Sequence, residues 1–172
     1  MKIGIYGGSF NPVHFGHIGL AQWVLRHTDL DEVWLMVSPN NPLKAADTLA
    51  DENKRLWDVE KAIAGMPGLR ASDFEFNLPR PSYTANTLRE LNKAYPEHEF
   101  TLIMGEDNLL IFKRWREWEY ILNTFRIMVY PRHSATPKND QDSINRDQVI
   151  FLADAPYFDI SSTEIRKKNL QV

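Results

Sequence analysis

The sequence predicts an α/β fold, a doubly wound parallel sheet with helices on both faces. Three observations predict it. Short apolar runs alternate with stretches of helical period along the 172 residues. Parallel neighbours in a sheet need crossover connections, and the intervening helical stretches supply them. The first apolar run also ends in a glycine-rich turn, at the carboxyl edge of the sheet where such folds bind ligands.

The elements follow in order. Residues 3–6 form a short apolar run before Gly7-Gly8 and read as a buried strand. Residues 16–27 carry Ile18, Leu20, Ala21, Trp23, Val24 and Leu25, a helix apolar over much of its surface. VWLMV at 33–37 is a second strand, stopped by the turn formers SPNNP. Leu56, Val59 and Ile63 mark a helix over 53–64, and residues 69–76 read as extended. A helix over 84–94 turns Leu88 and Leu91 inward. Strands follow at 100–104, 127–130 and 149–152, with helical segments between 107 and 122 and a short closing helix from about Ser162. Two long polar loops, 38–52 and 132–147, fit either lids or mobile connections. The whole chain, 1–172, is expected to form one Rossmann-like domain.

Composition narrows the partners. Hydrophobic residues at 43% and charged residues at 25% suit an ordinary globular protein. A net charge of -3 argues against a broad nucleic-acid face, so an anionic ligand must be met by local positive groups. With no cysteine, disulfides, thiolate zinc sites and thiol nucleophiles are excluded. MKIGIYGGSF lacks the apolar stretch of a signal peptide, and no run approaches a membrane span, so a cytoplasmic location is expected.

The chemistry gathers in GGSFNPVHFGH, residues 7–17. Neither common phosphate-loop pattern is present. Gly7 and Gly8 are expected to turn the backbone sharply and expose N–H donors, and Asn11-Pro12 to fix a turn. His14 and His17 then fall near a helix start, which favours an anion. A metal pair is the alternative, but zincin histidines are spaced i, i+4 and no third ligand is evident. At the far end stands ISSTEIR, 160–166, where Ser161 and Glu164 have capping-box spacing and Arg166 lies one turn in. That is either a plain capped helix or a second anion site. Together the two stretches suggest a polyphosphate along the sheet edge.

These stretches resemble the paired signatures of the (H/T)-x-G-H nucleotidyltransferase superfamily, with His14-Phe15-Gly16-His17 as the first. SPNNPLK (38–44), RPSYTANTL (80–88), LIMGEDNL (102–109) and FKRWREW (112–118) resemble the nicotinate-nucleotide adenylyltransferase family, across nearly the full length. Asn11 and the Glu106 of GEDN depart from its commonest pattern. The resemblance implies transfer of AMP from ATP to nicotinate mononucleotide, with Mg²⁺ accompanying ATP. It implies catalysis by His14, His17 and Arg166. ATP would meet Gly8, Ser9, Phe10, His17, Gly105, Asp107, Ser161, Ser162 and Arg166. The mononucleotide would meet Lys44, Ser82, Tyr83, Thr84 and Trp115, the helix start at 83–84 holding the nicotinate carboxylate. Alternatives stay open for several of these. Ser82 and Thr84 could only cap their helix, and Asp107 could be an N-cap. Trp115 and Trp118 are expected to share a helical face, so one belongs to the core. Arg132 is a further candidate for ATP. Rival readings are a pantetheine-phosphate or nicotinamide-mononucleotide adenylyltransferase, or a nucleotide-binding regulator without catalysis.

Overall fold

The computed structural model describes residues 1–40, 51–133 and 141–157. Six parallel strands form one sheet in the order β3-β2-β1-β4-β5-β6. They are β1 (Lys2–Gly8), β2 (Glu32–Val37), β3 (Leu69–Ser72), β4 (Glu99–Gly105), β5 (Arg126–Tyr130) and β6 (Ile150–Phe151). The order reverses between β1 and β4, which makes their carboxyl ends the switch point where a ligand crevice opens.

Helices cover both faces, and the strands show it in their side chains. Ile3, Ile5, Trp34, Met36, Leu102, Met104, Ile127 and Val129 pack on one side. There they meet Leu88 and Leu91 of α3 (Thr84–Ala94) and Ile121 of α5 (Trp118–Thr124). The alternate residues Val33, Leu35, Val37, Ile103 and Met128 face α1 (Phe15–His27) and α2 (Glu52–Ala62). Covering both faces explains why the inner strands are nearly continuous apolar runs rather than alternating ones. Among the described residues no helix is long and apolar enough to cross a membrane.

Several expectations are corrected. The second half of the stretch read as extended, 69–76, is a 3-10 turn, Phe74–Asn77, that buries Glu75. The sharp turn expected at Gly7-Gly8 comes later: both glycines end β1, and the left-handed residue is Phe10, at φ 48. Trp115 and Trp118 share no helix. Trp115 follows the 3-10 turn Phe112–Arg114, and Glu117 at φ 54 breaks the chain before α5. The Ser161–Glu164 capping box and, within the two long loops, residues 41–50 and 134–140 lie outside the described residues.

Candidate active site at the switch point

A cavity of about 290 Å³ opens at the carboxyl ends of β1, β2 and β4. Gly7, Gly8 and Gly105 line it, with Ser82 and Thr84 at the start of α3, and Trp115. An added Cβ at Gly7 would meet nothing within 4 Å, so its bare Cα borders open space. A Cβ at Gly105 would come within 2.5 Å of Asp107 Oδ1 and 3.1 Å of the Tyr130 ring. A side chain at 105 would crowd the Tyr130 ring and displace the Asp107 carboxylate, which folds back over Gly105 from α4 (Glu106–Leu109). The N-cap of α4 is Gly105, so the N-cap reading of Asp107 is set aside. Glu106 instead accepts from Arg146 and from the Arg132 amide, which gives that departure from the family pattern a local purpose.

Both histidines belong to the opening turn of α1. The Gly16 amide donates to His14 Nδ1 at 3.1 Å, and the His14 amide donates to His17 Nδ1 at 3.1 Å. The helix is thus capped by its own imidazoles, which satisfies amides that would otherwise lack partners. A nitrogen that accepts a hydrogen bond carries no proton, so each neutral ring is protonated at Nε2. The rings stack at 3.7 Å between centroids, and Phe10 closes on His17 edge-on at 4.9 Å. Phe10 is only 2% exposed, and this burial holds a bulky residue in a left-handed conformation that costs about 1–3 kcal/mol. Burial first, then the neighbouring His14 ring and the Arg132 charge, pushes the His17 pKa down to about 3. His17 is a neutral Nε2–H donor at physiological pH. Its ring lies beside Tyr6, which lines the cavity and is hydrogen-bonded to Tyr130, another lining residue.

The start of α3 is built differently. Its N-cap is Tyr83, and no side chain caps the helix, so neither Ser82 nor Thr84 takes the capping role. Ser82 Oγ is buried and has no hydrogen-bond partner among the described residues. An orphaned hydroxyl beside an uncapped helix start costs stability unless a ligand supplies the acceptor. The Tyr83 ring lies elsewhere, 40% exposed under the Arg116 guanidinium at 4.5 Å, which leaves only its backbone for the cavity. Trp115 and Trp118 both pack against the core, at 5.2 and 6.4 Å from Phe112, but of the two it is Trp115 that also lines the cavity.

The structure therefore brings Gly8, Ser82, Thr84, Gly105 and Trp115 around one cavity. Ser9, Phe10, His14 and His17 stand on the adjoining loop and helix start, and Asp107 on the turn over Gly105. Lys44, Ser161, Ser162 and Arg166 lie outside the described residues, and with them the expected meeting of His17 and Arg166. Two polar residues went unread. Glu75 sits in the cavity wall, its carboxyl pushed up by burial and only partly offset by the Thr87 hydroxyl at 2.6 Å. Arg55 is 1% exposed. Its signal was positional: it precedes Val59 and Ile63 by one and two turns, on the stripe that faces the core. Among the described residues no group of three or more His, Asp or Glu side chains is placed to hold a metal.

Comparison with known proteins agrees with this geometry. A sequence model of the family described as cytidylyltransferase-like matches residues 5–168. The "Probable nicotinate-nucleotide adenylyltransferase" of Flavobacterium psychrophilum is 48% identical over 99% of this chain and 90% of its own. The protein of the same name from Bacteroides fragilis is 49% identical over 96% and 81%. The solved Plasmodium falciparum nicotinic acid mononucleotide adenylyltransferase, complexed with NaAD, superposes with a TM-score of 0.76 at 18% identity, over 96% of this chain and 82% of that one. A sheet with its switch point at β1 and β4, a histidine-capped α1 and relatives this similar over nearly their whole length lead to one conclusion: the chain belongs to the cytidylyltransferase-like family, and within it to the nicotinate-nucleotide adenylyltransferases.

Proposed function

We propose that the protein transfers AMP from ATP to nicotinate mononucleotide, giving nicotinate adenine dinucleotide and pyrophosphate. One observation carries the reading. A histidine pair with fixed tautomers and an uncapped helix start stand at the same carboxyl edge, where β1 meets β4. The first suits phosphate oxygens, and the second suits a carboxylate.

A phosphate oxygen of the mononucleotide attacks the α-phosphorus of ATP. As that bond forms, the bond to the β-bridging oxygen breaks, and pyrophosphate leaves with the electron pair. The nucleophile is already an anion, so no general base is needed. Catalysis reduces to alignment and to stabilising the charge that builds on the transferring phosphoryl group. His17 Nε2–H meets that charge as a neutral donor, beside His14 and the amides from Gly8 to Phe10. Gly105 and Asp107 border the ATP end, where Ser161, Ser162 and Arg166 complete it. Ser82 Oγ and the first amides of α3 take the nicotinate carboxylate, Trp115 flanks the pyridine ring, and Lys44 meets the mononucleotide phosphate. Mg²⁺ comes with ATP, whose phosphate oxygens are the hard ligands it prefers, and it neutralises charge there when bound.

Pyrophosphate release from ATP and Mg²⁺ with each of three acceptors tests the assignment: nicotinate mononucleotide, nicotinamide mononucleotide and phosphopantetheine. Release should be fastest with the nicotinate compound. Preference for another acceptor, or ATP binding without release, would overturn it.

A further inference from the structure

Arg55 is a large, charged side chain that is 1% exposed. Burying a guanidinium is costly, and an apolar chain of similar size usually packs as well or better. Packing alone therefore does not account for it. Its hydrogen bonds do point somewhere. Nη1 donates to the Ser9 carbonyl at 2.7 Å, and Nη2 donates to Asn40 Oδ1 at 2.8 Å. Ser9 and Asn40 lie on the loops that follow β1 and β2, just beyond the Ser38 amide bond to the Gly8 carbonyl at 2.9 Å. The fixed fork of one guanidinium thus spans two loops, which a lysine's single ammonium does not reproduce. The array continues: the Asn40 amide donates to Glu52 Oε1 at 3.1 Å, and Glu52 holds Arg80 through both oxygens at 2.5 and 2.7 Å. Arg80 stands two residues before Ser82.

We propose that Arg55 is a positioning residue for the phosphate end of the site: its guanidinium fixes the Ser9 carbonyl, and so the Phe10 turn that leads into His14 and His17. The loop amides and the imidazoles keep their places because this fork holds the loop from below. The proposal rests on the adenylyltransferase reading. It makes a distinct demand, because Arg55 bonds the loop that leads into His14 and His17 directly, and reaches the start of α3 only through Asn40, Glu52 and Arg80.

The test compares wild type with Arg55→Met, which keeps the bulk and removes the guanidinium donors. Displacing aligned groups by about 1 Å costs roughly 10²-fold, and kcat should fall by about that factor. The Kd for ATP with Mg²⁺, by calorimetry, should weaken about tenfold, the size of one lost hydrogen bond. The KM for nicotinate mononucleotide should change less, staying within about threefold, since the start of α3 is three hydrogen-bonded partners away. Methylguanidinium added to a folded Arg55→Ala protein should restore part of the turnover. A folded Met variant with near-normal kcat and ATP affinity, or with both substrates weakened equally, overturns the proposal. If the Met variant does not fold, Arg55→Lys is read by the same three constants. If wild type binds ATP yet transfers to no acceptor, the functional reading fails and Arg55 is judged from the ATP affinity alone.

Discussion

Two helix starts stand at the same edge of the sheet and are finished in opposite ways. At α1 the first amides are taken by the histidines themselves, through Nδ1. At α3 no side chain caps the turn, and Ser82 Oγ is buried without a partner among the described residues. The capped start offers side chains: its amide bonds orient two rings and leave the proton on Nε2. The open start offers backbone and a hydroxyl. The difference suggests a way for one edge to tell two anions apart. On the proposed reading, phosphate, which moves and changes charge during the reaction, would meet neutral donors held in place. A carboxylate that takes no part in bond-making would meet a fixed helix end.

The largest expected effect would break the capped start. His17→Ala removes the Nε2 donor and should lower kcat by roughly 10²–10³, the size of losing one such donor. Near-normal turnover in steady-state assays would take His17 out of the mechanism. The open start is broken by Ser82→Ala. A hydrogen bond to a charged group contributes about 1.5–3 kcal/mol, so the KM for nicotinate mononucleotide should rise roughly tenfold or more. The KM for the amide should hardly change. Equal losses for acid and amide would mean that Ser82 does not see the carboxylate. A smaller effect is expected from Trp115→Ala: stacking of about 0.5–1.5 kcal/mol gives a roughly two- to twelvefold drop in kcat/KM for the mononucleotide. Trp118→Ala should instead lower the melting temperature and spare the kcat/KM of the folded enzyme.

A further test sharpens the contrast through pH. His17 is neutral in the fold, with a pKa of about 3 against an ordinary 6.5. Below pH 6.5 the unfolded chain takes up a proton that the folded one refuses. Stability is therefore full above 6.5 and declines as pH falls toward 3. Melting temperatures between pH 6.5 and 4 should fall less steeply in His17→Gln than in wild type. An identical slope would mean that His17 is accessible to protons in the fold.

Much of this was legible in the residues. The helix over 84–94 coincides with α3, because Leu88 and Leu91 have a clear period and Ala94 is followed by a tyrosine in a non-helical conformation. The doubly wound sheet followed from alternation, since parallel strands covered on both faces must be apolar. The turn after β1 was not legible. Glycine is the usual sign of a left-handed residue, yet here burial against His17 holds Phe10 there while both glycines stay in the strand. Arg55 escaped for a related reason. Arginine reads as solvated in any composition argument, and only its step from Val59 and Ile63 marks it as inward. The self-capping of α1 is unusual because histidine replaces the Ser, Thr, Asp or Asn that signal a helix start.

The most direct test of the account is a crystal structure of the protein with nicotinate mononucleotide and a non-hydrolysable ATP analogue. The account predicts the α-phosphate within hydrogen-bond distance of His17 Nε2, and the nicotinate carboxylate on Ser82 Oγ and the first amides of α3. A carboxylate seated against α1, or an α-phosphate beyond the reach of His17, would contradict it.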